Sequence, residues 1–399
     1  MDWETLYCPN KHCRCYGLPF RRGQLVKNGS SHGQPQALCK SCGGSVTLSY
    51  ATAYYGLESE PAIFEAAVRA LAEGNSIRAT GRIFQVDKDT VCDCLTRAAL
   101  HCRSVVLHLW NGLHVAECQL DERWSFVHTK EAHLPYAKVL CDSDGDAWVW
   151  LAFAPIWRVV LAFVVGRRTQ ESADLLLGRL KDVTDGHVPF FTSDQLPTDE
   201  EALLRVDGAW VQPERRGGRG RFPHPRRVPT ADLLYAQVVK VRANGHVTEV
   251  KTRVVFGSPE RVAAYLAGSP ASGTINTSFV ERDNLTQRQS NRRLARKTNG
   301  FSKDIAWLEK QLWLSTAYYH LVLPHHRLRQ PLASPEATRG TGSSRYWKPV
   351  TPAMAAGITD HVWTTPELLS CRVPPDFLDD LPTFKPLFAL LDEEVHQGK

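Results

Sequence analysis

Four cysteines fall in two short pairs near the start of the chain, Cys8 and Cys13 in "YCPNKHC" and Cys39 and Cys42 in "LCKSC". Four thiolates carried on two turns form the tetrahedral sulfur set that structural zinc takes, and a small module with little core gains its folding energy from such an ion. Cys15 competes with Cys13 as a ligand. A closed four-cysteine site leaves the metal no open position, so a structural role is expected rather than a catalytic one. The chain has 11 cysteines in all, an odd number that includes a C-x-x-C, which favours metal ligation over a disulfide framework.

Oxygen donors are spread more widely. "LHVAECQLDERWSFVHTK" reads as a strand carrying Asp121, and "HVPFFTSDQLP" as a short strand ending at Asp194, which puts both acids near one edge of a sheet. "NTSFVERDNLTQRQSNRRLARKTNGFSK", residues 276–303, reads as a helix from about Thr277 to Lys297 with Gly300 marking its end. At helical spacing Glu281, Asn284, Arg288, Asn291, Arg292 and Ala295 share one face, which is polar almost from end to end. Taken alone such a face is that of a solvated surface helix, and the rest of the chain must decide whether it does more.

The elements that would position these residues are set by pattern and composition. At 399 residues, 43% hydrophobic and with 11 tryptophans, the chain is long enough for two or three domains with real cores and is not globally disordered. Its formal net charge is only +6, but the cations cluster at Arg215 to Arg227 and at Arg288 to Lys297, while the C-terminal "DFLDDLP" and "LLDEEV" are acidic. Clustered arginine and lysine suit a polyanion better than a small substrate. "MDWETLYCPN" lacks the regions of a secretory signal, so a cytoplasmic protein is expected. The apolar window "AWVWLAFAPIWRVVLAFVVG" (147–166) carries Pro155 and Arg158 in its middle and is read as two buried strands rather than a membrane span; no membrane partner is expected.

From Pro61 three short helices are expected, with Gly74 ending the first, Ser76 capping the second and Asp87 or Asp89 opening the third. That spacing fits a helix-turn-helix and equally a plain three-helix bundle. Strands, the amphipathic "TQESADLLLGRLKDV" and a further strand then imply a mixed sheet with helices on its faces. A hairpin turning at Asn244-Gly245 and the basic loop 213–229 fall in a long stretch that reads as an inserted β-rich subdomain. "AWLEKQLWLSTAYYHLVL" is an amphipathic helix, and the remainder of the chain is proline-rich and expected to be irregular.

In this order the chain resembles the DDE transposases of the insertion-sequence-one type and their longer relatives. The likeness is carried by "YCPNKHC" with "LCKSC", "LDERWSFV", "GDAWVWLAF", "VVGRRT", "FFTSD", the 276–303 stretch and "TPAMAAGITDHVW". It implies a multidomain chain: a zinc-ribbon-like module over 1–56, an all-α helix-turn-helix domain over 57–104, and an α/β ribonuclease-H-like core over 112–207 and 275–330. An insertion would occupy 208–274 and an irregular tail 331–399. It also implies catalytic and magnesium-binding roles for Asp121, Asp194 and Glu281 around two Mg²⁺ ions, a structural zinc on Cys8, Cys13, Cys39 and Cys42, and DNA contacts from Asn284, Arg288, Arg292, Arg293, Arg296 and Lys297. The partners implied are the ends of an insertion element, target DNA and further copies of the chain, in a prokaryotic, nucleoid-associated setting. The interval from Asp194 to Glu281, 281 − 194 = 87 positions, is longer than in compact family members, and Asp199 and Asp207 rival Asp194 as the second aspartate. The alternative function is a domesticated or regulatory DNA binder without catalysis.

Two other groups are read as structural. Asp142, Asp144 and Asp146 lack the closing bidentate acid of a calcium loop and are expected to form a turn before a strand. His320, His325 and His326 have no partner motif and are expected to pack or to lie on the surface.

Overall fold

A computed structural model describes residues 1–134, 144–215, 223–338, 340 and 342–380. The chain forms two compact units, one of residues 1–109, 290–292 and the described part of 306–385, the other of 110–289 and 293–305.

The first unit opens with a three-stranded antiparallel sheet of β1 (Leu25–Ser31), β2 (Gln34–Cys39) and β3 (Ser45–Thr47). Its small core is built from Leu6, Leu25, Ala37 and Val46 packed around cysteines, too little apolar surface for independent stability. The three helices form as expected: α1 (Pro61–Ala72), α2 (Ile77–Phe84) and α3 (Lys88–Leu109). Pro61 occupies the first turn of α1, and the Ser76 hydroxyl accepts from the Ala79 N–H at 3.2 Å to cap α2. Gln85 ends α2 in the left-handed region, at φ 55°.

The second unit is built on a six-stranded mixed sheet. In chain order its elements are β4 (Glu117–Val127), β5 (Gly145–Ala154), β6 (Val159–Gly166), α4 (Gln170–Val183), β7 (Phe190–Asp194) and α5 (Pro197–Asp207). Next come the short ribbon β8 (Gly208–Val211) and β9 (Arg226–Pro229), then β10 (Tyr235–Ala243), β11 (His246–Phe256), α6 (Pro259–Ala267) and α7 (Ser278–Ser290). The sheet order is β11-β10-β7-β4-β5-β6. β4, β5 and β6 form an antiparallel meander, while β7 lies parallel to β4 and β10 parallel to β7. Parallel neighbours need crossovers, and α4 and α5 lie on those connections. The 147–166 window is indeed two strands, β5 and β6, nearly all buried, with Trp150 at 1% exposure. Among the described residues no helix is long and apolar enough to cross a membrane.

Two expectations change. The 208–274 stretch is not a self-contained inserted subdomain, because β10 and β11 complete the central sheet through the pairing of β10 with β7. Its Asn244-Gly245 turn does close the hairpin, with both residues at positive φ, 51° and 79°. The polar helix also stops at Ser290, short of Lys297, and gives way to a single 3₁₀ turn at Arg292–Leu294 whose Leu294 is buried.

The chain then returns to the first unit with α8 (Ile305–Leu321), buried over most of its length, the ribbon β12 (Gln330–Glu336) and β13 (Arg345–Lys348), and the short helices α9 (Pro352–Ala355), α10 (Thr365–Ser370) and α11 (Pro375–Asp380). The region expected to be irregular therefore carries regular elements. Its Arg372 reaches into the N-terminal module and donates to Tyr50 O at 2.9 Å, Asp2 O at 2.6 Å, Thr5 Oγ1 at 2.6 Å and Leu48 O. One guanidinium thereby satisfies carbonyls on both sides of the module, which sulfur ligation alone does not reach. Arg372→Ala is expected to cost roughly 2 to 3 kcal/mol, because the buried Leu48 carbonyl and three part-buried acceptors lose a charged donor at once. Denaturant unfolding measures this, and a loss within about 0.5 kcal/mol of zero, the range of an ordinary surface change, would show that the clamp is ornamental.

Candidate functional site

Two constellations come together. In the N-terminal module the ligand atoms of Cys8, Cys13, Cys39 and Cys42 all lie within 4.8 Å of one another. Cys8 Sγ and Cys42 Sγ are 3.7 Å apart, and Cys13 Sγ and Cys39 Sγ 3.8 Å. A tetrahedron with metal–sulfur bonds of about 2.3 Å has sulfur–sulfur edges of about 3.8 Å, which these two pairs match. Of Cys13 and Cys15, Cys13 belongs to the group and Cys15 does not; the Cys15 backbone N–H donates to Cys13 Sγ at 3.4 Å. That N–H pulls the Cys13 thiol down to about 6, favouring the thiolate. This four-cysteine group is suited to hold a structural metal.

The second constellation lies on the central sheet. Leu120 of β4 pairs with Ser193 of β7 in parallel register, so Asp121 and Asp194 stand on neighbouring strands. Glu281 lies in the first turn of α7, where the helix dipole favours a carboxylate. Thr277, just before the helix and buried, donates its hydroxyl to Asp194 Oδ1 at 3.1 Å and Glu281 Oε1 at 3.3 Å. Lys240 of β10 lies between the same two acids, with Nζ 2.8 Å from Asp194 Oδ2 and 2.5 Å from Glu281 Oε1. Asp121 joins from the other side, accepting from Asn284 Nδ2 one helical turn beyond Glu281. The three carboxylates do not close to within 4.8 Å of one another, since among the described residues only the cysteines do so.

Burial raises the Asp121 carboxyl and the Asp194 charge adds to this, while the Asn284 amide pulls the other way. Burial alone would lower the Lys240 ammonium, but Asp194 and Glu281 outweigh it and hold it above the ordinary lysine value. The donor set suits a hard cation, because carboxylate oxygens are what magnesium takes. Two of the three carboxylates already enclose a positive charge, the Lys240 ammonium.

The rivals for the second aspartate are elsewhere. Asp199, in the first turn of α5, is buried with its carboxyl raised by desolvation and by nearby Glu122. Asp207 pairs with Lys181 at 3.1 Å. Glu122 follows Asp121 on the strand and so projects to the opposite face of the sheet, where burial pushes it up to about 7 against the pull of Arg168, 3.7 Å away.

The residues expected to contact DNA divide. Asn284 is not available for it: it is buried, and its amide oxygen accepts from Arg123 Nε while its nitrogen serves Asp121. Arg288 is half-buried on α7, close enough to Asp121 for that charge to raise its own pKa against the dominant effect of burial. Arg292 donates to Gly74 O at 2.9 Å and Arg293 to Ser302 Oγ at 3.3 Å, so both are engaged in fold contacts. Arg296 and Lys297 are exposed, beyond the end of the helix. Part of the 215–227 cluster, and Asp142, lie outside the described residues. Asp144 immediately precedes β5 and Asp146 is its second residue, as a turn before a strand requires. His320 is buried, and desolvation lowers it to about 3, which makes it a neutral packing residue.

Lys240, Thr277 and Arg123 went unread in the sequence. The signal for Lys240 was present in "YAQVVKV", an apolar strand interrupted by one cation, but its value depends on the parallel pairing with β7. Replacing the ammonium in Lys240→Met leaves Asp194 and Glu281 facing each other and removes a competitor for divalent cations. The half-exposed acids are partly screened, so the expected gain in Mg²⁺ affinity is only about tenfold, with a larger Mg²⁺-induced rise in unfolding temperature than in the wild type. Calorimetric titration checks it; equal or weaker Mg²⁺ binding would mean that the ammonium is no competitor.

No protein-family model matches the chain. Over 193 residues, 48% of this chain and 88% of the relative, it is 27% identical to the insertion element iso-IS1n protein InsB of Shigella dysenteriae. Among solved structures, the mariner Mos1 paired end complex with Mg matches at 11% identity and a TM-score of 0.16, over 38% of this chain and 59% of that one, too low a score to bear on the fold.

Proposed function

The chain resembles the insertion-sequence-one proteins, as the match to InsB shows, and from that premise we propose that it is a DNA transposase of the DDE type. The observation that carries the reading is the convergence of Asp121, Asp194 and Glu281 through Asn284, Thr277 and Lys240 from β4, β7, β10 and α7. A polyanion-binding protein has no reason to gather three acids at one place unless a cation is to sit there. The sheet, with its central strand flanked by an antiparallel meander and two parallel strands, has the arrangement expected of a ribonuclease-H-like core.

Asp121, Asp194 and Glu281 would hold Mg²⁺. Two such ions about 4 Å apart, when bound, activate an attacking hydroxyl and stabilise the leaving oxygen of a phosphodiester. The protein's own work is positioning, since phosphoryl transfer asks little covalent chemistry of side chains. Asn284 orients the Asp121 carboxylate and favours its charged form against burial, Thr277 ties Asp194 Oδ1 to Glu281 Oε1, and Arg288 on the same helix offers a guanidinium beside the acids. Arg296 and Lys297 continue the positive surface past the helix. The four cysteines hold zinc and stabilise the N-terminal module, and α2 with α3 form the helix-turn-helix that reads the element's ends. Bringing two ends together calls for at least a dimer.

Asp194→Asn and Glu281→Gln are each expected to lower metal-dependent cleavage and joining of a labelled duplex bearing the element's ends by at least about 100-fold, a loss of ~2.7 kcal/mol or more in transition-state stabilisation. Binding of the same duplex in EDTA should be unchanged. Full activity in Glu281→Gln would sink the assignment, and a wild type that binds but yields no product would favour a regulatory DNA binder.

A further inference from the structure

The β12–β13 ribbon carries charge and aromatic surface that neither the cysteine group nor the carboxylate cluster uses. It is exposed on both faces, with Leu332 alone half-buried. A two-stranded ribbon without a packed face gains little from burial, so aromatic side chains on it have no core to fill. Tyr346 and Trp347 are nevertheless there, 58% and 42% exposed.

Pairing sets their layout. Pro331 lies opposite Trp347 and Gln330 opposite Lys348. Alternation puts Arg345 on the same face as Trp347, and Tyr346 on the other with Lys348. The Arg329 guanidinium stacks over the Trp347 ring at 4.2 Å from its centroid. Arg345 is paired with Glu336 across the ribbon. From 327 to 348 the sequence holds five cations, Arg327, Arg329, Arg339, Arg345 and Lys348, against one acid, Glu336, a net charge of 5 − 1 = +4. The base of the ribbon is fixed by the His325 N–H donating to Val350 O at 2.8 Å, and Thr338 Oγ1 donates to Ser343 O at 3.0 Å near its tip.

We propose that this ribbon is a second DNA-binding element, in which Arg327, Arg329 and Lys348 grip backbone phosphates and Trp347 stacks on a base or sugar. The inference rests on the transposase reading of the chain. Sign and shape select the ligand: an excess of cations asks for a polyanion, and an open aromatic ring backed by a guanidinium asks for a partner with its own flat faces. DNA meets both demands, and a ribbon of two strands is narrow enough to enter its major groove. An acidic protein surface would satisfy only the first.

The test is fluorescence anisotropy of the full chain with a labelled duplex of arbitrary sequence and with a single strand of the same length, without divalent ions, between about 50 and 200 mM salt. The variant R327Q/R329Q/K348Q should bind the duplex at least about tenfold more weakly, with the slope of log affinity against log salt reduced by about 3, close to one per lost phosphate contact. The charge-keeping variant R327K/R329K/K348R should retain the slope, which separates lost charge from a damaged fold. Trp347→Ala should weaken the single strand severalfold with its slope unchanged, since stacking releases no counterions. If the glutamine variant binds with wild-type affinity and slope, the ribbon proposal falls and the transposase reading stands. If the wild type binds neither probe, the transposase reading falls with it.

Discussion

The site depends on one buried guanidinium. Arg123 of β4 is 1% exposed, donates through Nη2 to Asp283 and through Nε to Asn284, and both partners belong to α7. Burying a charge is costly unless it is paired and hydrogen-bonded on several sides, and Arg123 is. Its effect is more specific than stability. By occupying the oxygen of the Asn284 amide it leaves the nitrogen to face Asp121, so the orientation of the Asp121 carboxylate is set two steps away by an ion pair that touches no solvent.

Alternate residues of β4 extend the same logic. Gln119 donates to Asn276 O at 2.8 Å and accepts from the Val280 N–H at 2.9 Å, Asp121 and Arg123 hold Asn284 and Asp283, and Ser125 donates to Arg293 O at 2.7 Å. Successive side chains of a strand point to opposite faces, so 119, 121, 123 and 125 form one row, and that row is the seat of α7. A helix with almost no apolar stripe cannot be held by hydrophobic burial, and here it is held by hydrogen bonds spaced at the strand's own period. The intervening row has the opposite character: Cys118 and Leu120 are buried, and Glu122 shares its side of the sheet with Asp199. Desolvation raises the carboxyls on both faces: Asp121 against the pull of the Asn284 amide, Glu122 against that of the Arg168 charge, and Asp199 well above its ordinary value.

What the sequence made legible were features with a short period or a fixed local chemistry. The cysteine spacing, the Ser76 cap, the Asn244-Gly245 turn and the break of the 147–166 window into two strands are all decided within a few residues. The parallel pairing of β7 with β10 is not, because nothing in "FFTSD" or "YAQVVKV" encodes that they are neighbours across some forty positions of intervening chain. That hidden pairing is why the hairpin read as an insertion and why Lys240 went unnoticed. The end of α7 was misplaced for a related reason: "QRQSNRRLARK" offers no glycine, proline or apolar stripe to mark it, and the chain leaves the helix where Asn291 and Leu294 are drawn into tertiary burial.

The charge layout has its own logic. Under the proposed function the carboxylate cluster would face repulsion twice, between its own members and from a polyanionic ligand. The Lys240 ammonium answers the first in the protein alone, bridging Asp194 Oδ2 and Glu281 Oε1. Its anchor on β10, a strand of the same sheet as β4 and β7, makes that neutralisation part of the fold rather than of a mobile loop. The second would be met at a distance, by Arg288 within the helix and by Arg296 and Lys297 beyond it. Cations adjacent to the acids but outside their hydrogen-bonding reach attract phosphate without quenching the carboxylates, which a lysine inserted between every pair of acids would do. Glu281 in the first turn of α7 and Arg288 in its last are held at a fixed separation, which one rigid element can provide and a set of separate loops cannot.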